Sequence, residues 1–345
     1  MQSKLRGRRA DYIPEFDLLR SLAIGLLFFH HGGLYHLSIF GIPLTDLDHY
    51  FELFLLGSFT FLSGYLMVHS IEGKSLSDFL KGRLLRIYFP YLVALILFLL
   101  MLDINIDETG LLVHLMGAQI VLSPALTSPI LTLWYIGLIL AYSVIFGIMV
   151  KLLPRLPVLI AAMLVVLVFA ILARHELSLF ARRFFYYYPV FAAGLLAAKT
   201  GLLERLTSAR FFLLDKLAAL VVGVIAFTPY IQLDNQDLQP LQLLAIWIFT
   251  LSAVLMALSL LRPIARRSAA RKGPLIRVAQ KVAYASFFAY LLHRPVWDIM
   301  FALSRPADPL ALTAYLVGGA ILLVLPLSYY GQRTYNRLTR RMSQA

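Results

Sequence analysis

The chain has 345 residues, 60% of them hydrophobic and only 14% charged, where an ordinary soluble domain is about half apolar and a quarter charged; that leaves no room for a sizeable soluble domain. The formal net charge is +13 and there is no cysteine, which excludes disulfides, a thiol nucleophile and cysteine-ligated metals. In so apolar a chain the basic excess points first to loops held on the cytoplasmic face of a membrane, not to nucleic acid.

About 20 apolar residues are needed to cross about 30 Å of hydrocarbon. In chain order, the apolar stretches predict membrane helices near 18–37, 49–70, 87–103, 133–150, 157–173, 184–199, 212–232, 241–261, 283–303 and 310–332. The basic start, 1–17, carries Lys4, Arg6, Arg8 and Arg9. The apolar stretch after it contains Arg20, His30 and His31 and has no small-residue cleavage site, so it reads as a retained first helix, not a signal peptide.

With the N-terminus inside, 26 of the 31 basic residues fall on cytoplasmic segments, including the loop 262–281 and the tail 333–345, which supports that orientation. Outer segments are acidic or neutral, with Asp46, Asp48, Asp103, Asp234, Asp237 and Asp308; Arg174, Arg182 and Arg183 are the exception. The apolar segment 109–132 contains His114, Gln119, Pro124 and Pro129. As an eleventh span it would turn the basic tail outward, so an outer-side re-entrant or interfacial segment is expected. The expected fold is all-α, a polytopic membrane protein of about ten transmembrane helices with both termini cytoplasmic, forming one membrane-embedded domain over 1–345.

Ionisable residues inside a membrane bundle are costly and therefore functional candidates. Arg20 and His31 are eleven residues apart; at about 100° and 1.5 Å per residue they share one helix face, about 16 Å apart in height. With Arg20 at the cytoplasmic interface, His31 is expected near mid-membrane and His30 about 80° off that line. A hydrogen bond from either histidine to a neighbouring helix is the structural alternative. Arg83 and Arg86 sit three apart at the start of the third span and offer two planar guanidinium forks suited to phosphate oxygens; ordinary positive-inside charge explains them equally well. His293, Arg294, Pro295, Trp297 and Asp298 lie deep in the ninth span, where Arg294 and Asp298 have the spacing to pair. Glu52 is an intramembrane carboxylate near the outer end of the second span, and Ser63–Gly64 reads as a site of close helix packing. There is no P-loop, dinucleotide fingerprint, metal-ligand spacing or Gly-x-Ser-x-Gly elbow.

At these residues the chain resembles the acyltransferase-3 family of integral membrane acyltransferases. Five elements carry the resemblance, in order: Phe16-Asp17-Leu18-Leu19-Arg20 through His30-His31, Phe61-Leu62-Ser63-Gly64-Tyr65-Leu66, Arg83-x-x-Arg86 with Tyr88-Phe89-Pro90-Tyr91, Leu133-Trp134-Tyr135, and Tyr290-Leu291-Leu292-His293-Arg294-Pro295-Val296. The chain departs from the family pattern at Thr60 and at Gln332-Arg333-Thr334, where an acidic residue before a proline is common. It stops soon after its last span, as a stand-alone member without a fused extracytoplasmic domain would.

The resemblance implies O-acyl transfer, acetyl transfer foremost, from cytoplasmic acyl-CoA to a hydroxyl of an extracytoplasmic glycan or lipid-linked saccharide, by a multi-pass protein of a bacterial inner membrane and without a metal. His31 is then the expected general base, with Arg20 assisting. Arg83 and Arg86 would hold the CoA phosphates, and His293, Arg294, Glu52 and Trp134 are candidates for the acceptor side or for structure. A transporter or flippase of glycan assembly would also carry midplane ionisable residues. A non-catalytic membrane partner of a glycan-assembly complex is a third possibility.

Overall fold

The computed structural model describes residues 12–34, 37–39, 42–102, 104–231 and 238–342. Lys4, Arg6, Arg8, Arg9, Asp103, Asp234 and Asp237 lie outside the described residues. In chain order the helices are α1 (Pro14–His31), α2 (Thr45–Ile71), α3 (Leu76–Arg83), α4 (Phe89–Met101), α5 (Glu108–Leu115), α6 (Gln119–Leu122), α7 (Leu133–Leu152) and α8 (Leu156–Leu177). They continue as α9 (Arg182–Thr200), α10 (Leu203–Thr207), α11 (Ala209–Phe227), α12 (Pro240–Ala270), α13 (Pro274–Leu303), α14 (Pro309–Gly319) and α15 (Leu325–Met342). Apart from these, Ser38–Ile39 and Ile42–Pro43 form a two-residue antiparallel pair after α1. The protein is an all-α polytopic membrane protein.

Eight described helical stretches are long and apolar enough to cross a bilayer. Helices α1 and α9, with 18 and 19 residues, are of similar length but more polar: α1 carries Glu15, Asp17 and Arg20, and α9 carries Arg182, Arg183 and Lys199. Segment 109–132 forms only the eight-residue α5 and the four-residue α6, far short of the roughly 20 residues a span needs. Its polar side chains pin it down. His114 Nδ1–H donates to the Gly110 carbonyl at 2.8 Å, while its Nε2 accepts the Ile130 amide at 3.3 Å. Gln119 donates to the Leu133 carbonyl at 3.2 Å.

Several boundaries differ from the sequence reading. The first helix stops at His31 instead of running to 37, because Gly32 caps it and Gly33 turns with φ +92°, a conformation glycine adopts at no steric cost. His31 therefore sits in the last turn of its helix. The third span begins at Leu76, so Arg83 and Arg86 lie within a continuous helix. The expected loop 262–281 is largely helix, since α12 runs on to Ala270 and α13 starts at Pro274. Its alanines, arginines and lysines are all good helix formers. The tail is helical too, to Met342.

Two π turns, Leu84–Tyr88 and Ala320–Val324, each end two residues before a proline, Pro90 and Pro326. Proline supplies no amide to the carbonyl four residues back and crowds it; a widened turn absorbs the mismatch. The first of these turns carries Arg86.

Helix α2 packs against α9 through glycine. A Cβ added to Gly64 would strike the Phe191 carbonyl, and one added to Gly194 would strike the Phe61 carbonyl. Small residues allow this backbone approach in membrane bundles. Gly64→Ala and Gly194→Ala are each expected to cost about 1–3 kcal/mol of stability through overpacking. Gly25→Ala, where an added Cβ meets nothing within 4 Å, should leave the melt unchanged. Thermal melting of detergent-solubilised protein, followed by size exclusion, separates the three. Across α7 and α9 the core is aromatic, with Tyr142, Phe146, Phe184 and Phe191 all buried and Tyr142–Phe191 ring centroids 5.1 Å apart.

Candidate active site

Three cavities follow one another along the bundle. The first, about 560 Å³, is lined by Arg20, Ser63, Arg83, Arg86, Tyr135 and Tyr290, with Gln332 and Tyr335 from α15. The second, about 350 Å³, is lined by His30, His31, Glu52, Trp134, Arg183, Tyr290 and Arg294. The third, about 600 Å³, is lined by His49, Glu52, Arg174, Arg182, Arg183 and tyrosines 186, 187 and 230, among others. Tyr290 belongs to the walls of the first and second; Glu52, Pro129 and Arg183 belong to the second and third. Each has the size of an ordinary ligand pocket.

Helix α1 runs from the first cavity to the second. Its early turn supplies Arg20 and its last turn supplies His31, so the shared face expected from their spacing opens onto two different chambers. Arg83 is held in the first cavity: its Nη2 donates to Ser70 Oγ at 3.1 Å and its guanidinium lies 5.0 Å from the Phe79 ring centroid. Arg86, one turn on, is exposed. Tyr335 of α15 donates to the Leu85 carbonyl and so clamps the C-terminal helix onto the arginine-bearing turn.

The divide between the first two cavities is tyrosine-rich. Tyr290 OH donates to the Thr132 carbonyl at 2.8 Å, and Tyr135 OH lies 3.1 Å from Thr60 Oγ1. Thr60, which interrupts the aromatic run before Ser63-Gly64, is thus occupied with positioning Tyr135. Trp134 and Tyr135 straddle the divide, since Trp134 lines the second cavity and Tyr135 the first. Nothing in the sequence marks Tyr290 or Tyr135 individually; they lie in the stretches Leu133-Trp134-Tyr135 and Tyr290-Leu291-Leu292-His293 without a role that spacing reveals.

At the second cavity two histidines meet. His31 Nδ1 lies 3.0 Å from His293 Nε2, with the rings parallel to within 2° and their centroids 5.1 Å apart. His293 is fully buried and its Nδ1 lies 2.8 Å from the Tyr290 carbonyl. A carbonyl only accepts, so His293 Nδ1 carries the proton. In the neutral pair its Nε2 is then the acceptor, and His31 Nδ1–H donates to it. The hydrogen-bond order fixes the tautomer of His31 and leaves its Nε2 lone pair free of protein partners among the described residues, on a ring that lines the cavity. His293 itself stands behind His31 and outside the cavity walls.

His30 also lines this cavity, with its Nδ1 2.6 Å from Asp48 Oδ1 and its ring centroid 4.6 Å from that of His31. It is not turned away from the site as the helical wheel suggested, because the chain turns back at Gly33 and brings Asp48 of α2 against it. Glu52 Oε1 is 3.5 Å from Arg183 Nε, and the Arg183 guanidinium stacks 4.4 Å from the Trp134 ring centroid. The Arg294–Asp298 pairing expected from spacing is not among the ion pairs of the described residues; Arg294 lines the second cavity instead.

The fold and its cavities define a polytopic membrane-embedded helical bundle with a stacked histidine pair beside an internal cavity. The sequence model of the acyltransferase-3 family, an acyltransferase domain, matches residues 13–330. The chain belongs to that family and is a membrane acyltransferase. No curated protein and no solved structure matches it.

Proposed function

We propose that the protein is an O-acyltransferase of the plasma membrane that moves an acyl group, acetyl foremost, from acyl-CoA to a hydroxyl of an extracytoplasmic glycan or lipid-linked saccharide. The observation that carries this reading is His31, with a fixed tautomer and an unoccupied Nε2, in the middle of three successive cavities. Arg83 and Arg86 of the first cavity suit the CoA phosphates, because guanidinium forks match phosphate oxygens in geometry and charge. The thioester then points past Tyr290 toward His31, and the acceptor approaches from the third cavity.

In the reaction, His31 Nε2 takes the proton of the acceptor hydroxyl as its oxygen attacks the thioester carbonyl. The C–S bond breaks as the new C–O ester bond forms. The proton on Nε2 passes to the departing CoA sulfur, which returns His31 to its starting tautomer. During this cycle His31 is transiently imidazolium; its Nδ1–H stays on His293 Nε2, which holds the ring in place. Arg294, in the wall of the same cavity, provides positive charge for the oxyanion that develops on the carbonyl.

His293 acts here as a positioning residue. His293→Phe removes the acceptor that fixes the His31 tautomer, and transfer should fall by about tenfold or more, in line with the usual size of acid–base contributions. His293→Gln retains an amide oxygen able to accept from His31 Nδ1 and should recover much of that loss. Equal activity of the Phe and Gln variants would remove the tautomer argument. The reading as a whole is tested by incubating purified protein with labelled acyl-CoA and a glycan mixture. Acyl-CoA-dependent labelling of glycan supports it, and acyl-CoA left intact in the presence of every glycan fraction counts against it in favour of a transporter.

A further inference from the structure

The third cavity lies at the end of the bundle away from Arg83 and Arg86, and its walls include Arg174, Arg182 and Arg183, together with Glu52 as the one carboxylate among its described lining residues. In the topology read from the charge distribution this is the extracytoplasmic side, where lysine and arginine are ordinarily sparse. With the lone Arg305 they break that pattern in the sequence, and they are the ones that the fold gathers around one cavity; membrane insertion gives no reason for such a cluster.

They are also built into the structure instead of lying on a loose surface loop. Between α8 and α9 the chain crosses segment 109–132, where the amides of Phe180 and Ala181 donate to the carbonyls of Val121 and Ile120 at 2.7 and 2.9 Å. The Ala125 amide returns a bond to the Ser178 carbonyl at 3.1 Å, and Arg174 Nη1 donates to the Phe180 carbonyl at 2.8 Å. Arg183 is oriented by Trp134 on one side and Glu52 on the other. Together with Glu52 and Pro129, it forms the boundary with the His31 cavity. A molecule whose hydroxyl reaches His31 from this end must therefore pass Arg183.

We infer that the third cavity recognises an acidic acceptor, a saccharide that carries a carboxylate or phosphate oxyanion close to the hydroxyl that becomes acylated. This rests on the reading that the acceptor enters from this end. A neutral sugar is bound well enough by amides, hydroxyls and aromatic faces, and tyrosines 186, 187 and 230 supply such faces here. A guanidinium has five donors, so an arginine already held by the protein, as Arg183 is by Glu52 and Trp134, still has donors for charge-assisted forked hydrogen bonds to an anion, and protein walls that exclude water focus the field of the cluster on the entering ligand.

The test uses purified full-length protein in detergent and three probes, namely maltotetraose, tetragalacturonic acid and maltotetraose 1-phosphate. Binding of each is measured alongside binding of acetyl-CoA to the same sample. At least one anionic probe should bind about tenfold or more tightly than the neutral one, and the Arg182→Gln/Arg183→Gln protein should lose that preference while holding acetyl-CoA as before. Which anion is preferred tells a sugar acid from a phosphorylated or lipid-phosphate-linked saccharide. Equal binding of all three probes, or a preference that survives the double substitution, overturns the inference. If the anion preference is present and dependent on the arginines but acetyl-CoA does not bind, the cavity stands as assigned and the acyl-CoA reading falls instead.

Discussion

His31→Ala protein should lose acyl transfer by about 10²- to 10⁴-fold, the usual contribution of a positioned general base, while it inserts into the membrane and binds acyl-CoA like the parent. The hydroxyl of a sugar is a poor nucleophile until its proton has an acceptor. In the second cavity, His31 Nε2 is an imidazole nitrogen left with a free lone pair by the hydrogen-bond order running from the Tyr290 carbonyl through His293. His30 lines the same cavity, but its Nδ1 is engaged by Asp48 at 2.6 Å. His30→Ala should therefore keep transfer within about tenfold of the parent, below the general-base range. Turnover of labelled acyl-CoA by the two purified variants makes the comparison. The opposite ranking, with His30→Ala dead and His31→Ala active, would move the base one residue back.

The second large effect is expected at the first cavity. Arg83→Ala and Arg86→Ala should each weaken acyl-CoA binding by roughly 10- to 100-fold, since a hydrogen bond to a charged group is worth about 1.5–3 kcal/mol and 1.4 kcal/mol is a factor of ten. Arg83 is already oriented by Ser70 and Phe79, so Arg83→Lys, which lacks the planar fork, should recover only part of the loss. Arg86 is exposed and less constrained, so Arg86→Lys should recover more. Equilibrium binding of acyl-CoA to each variant reads this directly, and unchanged affinity in both alanine variants would return the pair to ordinary cytoplasmic charge.

Much of the bundle was legible because apolar runs of spanning length have few other uses in a chain this hydrophobic. Eight of the ten expected spans coincide with described helices long and apolar enough to cross a bilayer, the other two, 18–37 and 184–199, coincide with the more polar α1 and α9, and the segment 109–132 reads differently because His114, Gln119, Pro124 and Pro129 interrupt it and an eleventh span would turn the basic tail outward. Helix ends were harder. Gly32-Gly33 sits inside an apolar run and does not stand out there as a stop, so the sequence places His31 inside the first helix, whereas the helix ends at His31. The charges of 262–281 suggested a loop, although long basic side chains also extend from helix ends toward polar surroundings. The two π turns depend on how the chain accommodates Pro90 and Pro326, which a periodicity of 3.6 does not register.

The site was legible in part for the same reason. Arg20 and His31 share a helix, so their relation follows from helical geometry. His31 and His293 are 262 residues apart, and only the packing of α1 against α13 brings them together; spacing alone cannot reveal a stacked pair. The same holds for Tyr290 between the first two cavities and for Arg183 over Trp134. Arg174, Arg182 and Arg183 are visible in the sequence as a breach of the charge pattern, and only the fold sets them around one cavity.

The central claim is that the protein acylates a hydroxyl of an extracytoplasmic glycan through His31. The most direct measurement is comparative mass spectrometry of surface glycans from cells that lack the protein, cells supplied with the parent chain and cells supplied with the His31→Ala chain at equal membrane levels. The account predicts an acyl substituent on one glycan class that is present only with the parent chain. Identical glycans in all three, or full acylation with His31→Ala, would contradict it.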